Sequence, residues 1–194
     1  MTNKKGFTLL ELVIVIGILA ILGTVSVLVL NPAQLFAQAR DTTRIQDLST
    51  LNSALGLYMS TVSSPDLNGS YTAAGCASAG SVYVYTAPTD NSFTNRSTNV
   101  PIALRGITGG ANGWLPVDFS SIVGGSPLST LPIDPTNSGN YIYRYACDQT
   151  TTAYELNAKL ESTRYTSGAD DKITTDGGNS ASFYEIGTDP GLDL

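Results

Sequence analysis

The strongest constraint on this chain is a predominantly apolar run from Phe7 to Leu30, preceded by Lys4 and Lys5 and carrying one charged side chain, Glu11. As a helix the run would reach ~36 Å, at about 1.5 Å per residue. That is enough to cross a hydrocarbon layer of ~30 Å. The two lysines predict that the N-terminus stays in the cytoplasm and that the body after Leu30 faces outward. A cleaved secretory signal has a shorter apolar core, about 7–15 residues, closed by a small-residue cut site. The run here is longer and no such site follows it. A plain membrane anchor fits the length and the flanks, but it leaves Glu11 unexplained.

A carboxylate inside an apolar membrane segment is costly, so it is expected to have a partner and a purpose. A cut between Gly6 and Phe7 would supply one, because Phe7 would then carry a new, positively charged α-amine. Glu11 lies four residues further on, a spacing that places two groups on one helix face. It pairs on this reading with its own amine or with that of a neighbouring chain. A pair between chains would fix their axial register, a task suited to a buried polar contact.

The string KKGFTLLELVIVIGILAIL resembles the class III leader and N-terminal segment of type IV pilins and type II secretion pseudopilins. The residues that carry the resemblance are Lys4, Lys5, Gly6 before the cut, Phe7 after it, and Glu11. It implies that a membrane-embedded prepilin peptidase cleaves after Gly6 and that the new N-terminus at Phe7 is methylated. It also implies a role for Glu11 in assembly. The resemblance is close over about the first 30 residues and looser over the helix that follows.

Beyond the run, Asn31-Pro32 predicts a kink or a local loosening, since proline lacks a donor and clashes with the preceding turn. A second helical pattern follows. Ile45, Leu48, Leu51, Leu55, Tyr58 and Val62 recur every three or four residues, which predicts one buried stripe. Arg40, Arg44 and Asp47 lie among more polar positions. Ser63-Ser64-Pro65 ends the pattern. The expected organisation is a leader over residues 1–6, a transmembrane and assembly helix over 7–30, an amphipathic continuation over 31–62 and a globular head over 63–194. Related pilins often carry a proline slightly earlier in the helix; here Leu28 stands in that place.

The head is rich in Ser, Thr, Asn and Gly. Val82-Tyr83-Val84-Tyr85 reads as a strand, and the stretch around Trp114 to Pro135 as irregular structure with one short helical turn. Tyr141, Tyr143 and Tyr145 alternate and so share one face of a strand. Turn residues follow from Asp148 to Thr152. Tyr154, Leu156, Ala158 and Leu160 then alternate with Glu155, Asn157, Lys159 and Glu161, the pattern of a strand with an apolar inner and a polar outer face. The two strands predict an antiparallel hairpin packed on the helix stripe. Ser182 to Ile186 reads as a last short strand. LPIDPTNSGNYIYRY resembles the proline-aspartate-proline loop and following strand of the same family. The expected fold class is α+β, and the resemblance implies the pilin fold: a long N-terminal helix, its outer half on a small antiparallel sheet, with a variable loop region.

Cys76 and Cys147 both lie in the exported part, where an even cysteine count predicts one disulfide. The alternative is two unpaired thiols. Asp170, Asp171 and Asp176, near Gly177 and Gly178, form an oxygen-rich tail of the kind that can bind calcium. Their spacing is not that of an EF-hand. The major pseudopilins carry a calcium site in a comparable loop. A solvated acidic loop is the competing reading, and no other cofactor is expected.

The chain contains no histidine, which removes Ser-His and Cys-His nucleophile pairs and the commonest general base near neutral pH. No enzymatic activity is expected. The net charge is -6, and removing the leader takes two lysines with it. Such a surface is not built to grip phosphates, so direct nucleic-acid binding is not expected. The expectation is a type IV pilus subunit, inserted in the inner membrane as a precursor, processed, handled by the pilus assembly machinery and polymerised into a helical surface filament. Adhesion, twitching motility or DNA uptake would be its service. The alternatives are a pseudopilin of a type II secretion system and, from another class, a monomeric membrane-anchored protein.

Overall fold

The apolar run forms helix α1, Leu9–Leu30, and the amphipathic segment forms helix α2, Pro32–Thr61. The computed structural model describes residues 6–69, 81–84, 97–99, 104–109 and 112–189. Between the helices Asn31 adopts a left-handed conformation, φ 40° and ψ 75°. Asparagine tolerates this region better than other non-glycine residues because its short polar side chain bonds locally. Pro32 then occupies the first position of α2, where its missing N–H costs nothing and its fixed φ suits a helix start. The expected kink is thus a one-residue break, with the proline opening the second helix rather than bending a continuous one.

The buried face of α2 runs through Ala37, Asp41, Arg44, Leu48, Leu51, Ala54, Leu55 and Tyr58. The outer part of the stripe is as expected. Its inner part is corrected: Ile45 is only half-buried, while Arg44, which the pattern places among more polar positions, is fully buried, as is Asp41. Polar side chains continue the stripe because Arg44 pairs with Asp134 and Glu161 of the head, while Asp41 pairs with Arg44 and accepts from the backbone N–H groups of Glu161 and Ser162.

Among the described residues five strands make one sheet: β1 (Ser81–Val84), β2 (Ser97–Asn99), β3 (Tyr143–Asp148), β4 (Ala153–Ala158) and β5 (Tyr184–Gly187), in the order β2-β1-β3-β4-β5. All neighbours are antiparallel except the edge pair β1 and β2, which is parallel. The β3–β4 hairpin sets Tyr145 opposite Leu156 and Tyr143 opposite Ala158. Thr152, at φ 58°, turns the chain between them, and the Asp148 carboxylate accepts from Thr150 N–H at 2.7 Å and Thr151 Oγ1 at 2.8 Å. Tyr85, expected in the first strand, lies outside the described residues. Tyr141 precedes β3 and forms an isolated bridge with Ser138 instead.

Tyr143, Tyr145, Cys147, Tyr154, Leu156 and Ala158 face α2 and pack with Leu48, Leu51, Leu55 and Tyr58 into one core. Each tyrosine hydroxyl finds an acceptor: Tyr143 donates to Asp47 at 2.7 Å, Tyr145 to the Leu67 carbonyl at 3.0 Å and Tyr154 to Asn52 Oδ1 at 2.7 Å. Buried aromatics with a polar tip need such partners. Trp114 anchors the irregular segment by donating from Nε1 to the Pro132 carbonyl at 2.9 Å. The single 3-10 turn of that segment is Phe119–Ser121.

The alternation in β4 sorts its side chains onto two faces as expected, but the second face is not solvated. Glu155, Asn157, Arg144 and Glu185 are all buried there. Phe183 lies over that face, its ring centroid 4.5 Å from the Arg144 guanidinium carbon and 5.7 Å from Lys159 Nζ. Alternation reports which side a residue faces, and it does not report whether later chain covers that side.

Candidate processing and assembly site

Gly6 and Phe7 precede the first helical residue, and Phe7 is 88% exposed. Thr8 is the N-cap of α1, with φ -82° and ψ 152°. Its hydroxyl accepts from Glu11 N–H at 3.2 Å, while Glu11 Oε2 accepts from Thr8 N–H and from Thr8 Oγ1, each at 2.9 Å. This reciprocal capping box satisfies donors that the first helical turn would otherwise leave open. The carboxylate also faces the positive end of the helix dipole. Glu11 therefore has a local partner in its own chain before any cut, one the sequence reading did not name. The signal was present as Thr8-Leu9-Leu10-Glu11, a threonine followed at the third position by a glutamate.

Leu9–Val27 is long and apolar enough to cross a membrane, and none of it is buried. On α1 the residues Leu19, Ala20, Gly23, Thr24 and Val27 border a shallow groove. A Cβ built on Gly17 or Gly23 would meet nothing within 4 Å. Small residues of this kind let a second helix approach closely.

The outer helix is fixed to the head by a buried ionic cluster. Arg44 forks onto Asp134, Nε to Oδ2 at 2.7 Å and Nη2 to Oδ1 at 2.9 Å. Its Nη1 donates to Asp41 at 2.8 Å, and its Nη2 lies 2.6 Å from Glu161 Oε1. Arg40 pairs with Glu161 from the half-exposed rim. The remaining negative charge is met by backbone donors: Glu161 and Ser162 N–H bond Asp41 at 2.9 and 2.7 Å, and Thr136 N–H bonds Asp134 at 2.8 Å. Burial opposes the charge on Arg44, but its bonds to Asp134, Glu161 and Asp41 outweigh this and hold its pKa above the usual value. Hydrogen bonds from Arg40, then Arg44, lower the Glu161 carboxyl to about 2. The cluster joins α2, the proline-aspartate-proline loop and the segment after β4, which sets the head on the helix that α1 continues.

Cys147 is buried and disulfide-bonded; its expected partner, Cys76, lies outside the described residues. Each of the three tail carboxylates has a partner of its own. Asp170 pairs with Lys172 at 2.7 Å, Asp171 accepts from Ile173 N–H at 3.0 Å, and Asp176 accepts from Glu185 N–H at 2.8 Å. Among the described residues no group of three or more His, Cys, Asp or Glu side chains is placed to hold a metal ion.

Residues 1–27 match the family model described as the prokaryotic N-terminal methylation motif. The match spans Gly6, Phe7, Thr8 and Glu11 together, and this motif marks precursors of the pilin and pseudopilin type. No curated protein and no solved structure matches the chain.

Proposed function

We propose that this chain is the structural subunit of a type IV pilus, cut after Gly6, methylated at Phe7 and polymerised through α1 into a surface filament. The observation that carries the reading is the pairing of a methylation motif with a helix that the head leaves wholly uncovered. An apolar helix of this length must be reburied in lipid or among its equivalents, because its surface is unfavourable in water. Transfer from membrane to filament exchanges one covering for the other. Glu11 supports the same reading. Its Oε2 is engaged by Thr8, while Oε1 is left for the ammonium group of an adjoining subunit. The subunit acts by assembly and not by catalysis, and prepilin peptidase and the inner-membrane assembly machinery are its partners.

The test is to follow the chain in cells with and without prepilin peptidase. The reading expects it in sheared surface fibres only when the peptidase is present, and in the inner membrane otherwise. Retention in the membrane in both strains would overturn it. Short periplasmic fibres that accompany protein export, with none on the surface, would instead assign the chain to a secretion system.

A further inference from the structure

The capping box has a consequence for the precursor that rests on the proposed processing. Proximity and orientation dominate the efficiency of a positioned reaction, and small misplacements of the reacting bond lower rates steeply. Here the scissile bond lies two residues before the helix. Thr8 holds extended backbone angles, and its bonds with Glu11 pin the point at which the chain leaves the helix. Residues 6–8 are exposed and not helical, and the methylation-motif match spans them.

We propose that Thr8 is a positioning residue for processing: its capping box with Glu11 starts the helix at Leu9 and presents the Gly6–Phe7 bond at a fixed place outside it. The reaction served is hydrolysis. Water adds across the peptide C–N bond, leaving a carboxylate on Gly6 and an amine on Phe7. Thr8 takes no part in the bond change; it acts through the backbone it holds. Glu11 thereby has two separable uses. As a hydrogen-bond acceptor it closes the cap, and as a charge it serves assembly.

Those uses can be told apart, because glutamine also closes a capping box. The experiment reconstitutes the full-length chain with prepilin peptidase in lipid vesicles and measures kcat/KM for release of residues 1–6. Thr8→Val, which keeps the shape and loses the hydroxyl, is expected to slow cleavage about fivefold, the scale of one lost N-cap. Thr8→Ser is expected to restore it. Glu11→Gln should be cleaved close to the wild-type rate, and Glu11→Ala as slowly as Thr8→Val. Equal rates for Thr8→Val and wild type would overturn the proposal. So would equal slowing by Glu11→Gln and Glu11→Ala, since charge and not capping would then be at work. Failure of the wild-type chain to be cleaved at all would instead strike the processing reading itself.

Discussion

Arg44 and Asp134 are separated by 90 positions in the chain, yet the guanidinium of one grips the carboxylate of the other through two bonds of 2.7 and 2.9 Å, both side chains shielded from solvent. Removing one partner of a buried ion pair leaves the other charge uncompensated, at a cost of about 3–5 kcal/mol. Arg44→Met is expected to lower the unfolding free energy of the full-length chain in detergent by that amount. The change is read from its urea midpoint. An unchanged midpoint would show that the cluster does not fix the head to α2.

Acid should act on the same cluster through Glu161. Its carboxyl is held at about 2 in the folded chain against 4.5 ordinarily, chiefly by the Arg40 hydrogen bond. A depressed carboxyl contributes stability above its unfolded pKa and loses that contribution as pH falls through the folded one. Burial raises Asp176 and Glu185, so their contributions run the opposite way and decline as pH rises. Comparing wild type with Glu161→Gln isolates what Glu161 contributes. The difference between them should be constant above about pH 5 and shrink toward pH 2. A constant difference across that range would contradict the pairing.

Glu11→Ala should leave the chain in the membrane and stop or sharply reduce filament growth. Electron microscopy of surface fibres, with the membrane fraction as control, reads both effects. Normal fibres would remove the reason for a charge in the first turn of α1.

Cys147 is expected to be joined to Cys76. Under non-reducing conditions the intact mass should fall below the reduced mass by two hydrogens. Reduction should cost about 2–4 kcal/mol, the usual scale for a native bridge. Equal masses would rule out an intrachain bond.

The separate engagement of Asp170, Asp171 and Asp176 predicts no calcium effect in this tail. Thermal unfolding with calcium and with chelator should give one midpoint. A clear rise with calcium would mean that these carboxylates regroup around an ion.

The sequence was most informative where one physical demand acted alone. The length and apolar composition of Leu9–Val27 are those of a membrane-crossing helix, and alternation marks β3 and β4, since tyrosines and small apolar residues there face one packed layer. The burial of Arg44 is not legible in the sequence because hydropathy patterns treat charge as a sign of exposure. Its partners Asp134 and Glu161 are distant in sequence and meet it only after folding. Glu155 and Asn157 were misplaced for a related reason: Phe183 and the chain near it return over the outer face of the sheet. At the N-terminus the glycine, phenylalanine and glutamate were legible as a motif. Thr8 is legible as a cap from its spacing to Glu11, but a carboxylate in an apolar run points equally to a distant cation as its partner.

The most direct test of the central claim is the mass of the N-terminal fragment from sheared surface filaments. The account predicts a fragment that begins at Phe7 and carries one added methyl group. A fragment that still begins at Met1, recovered only from membranes, would contradict it.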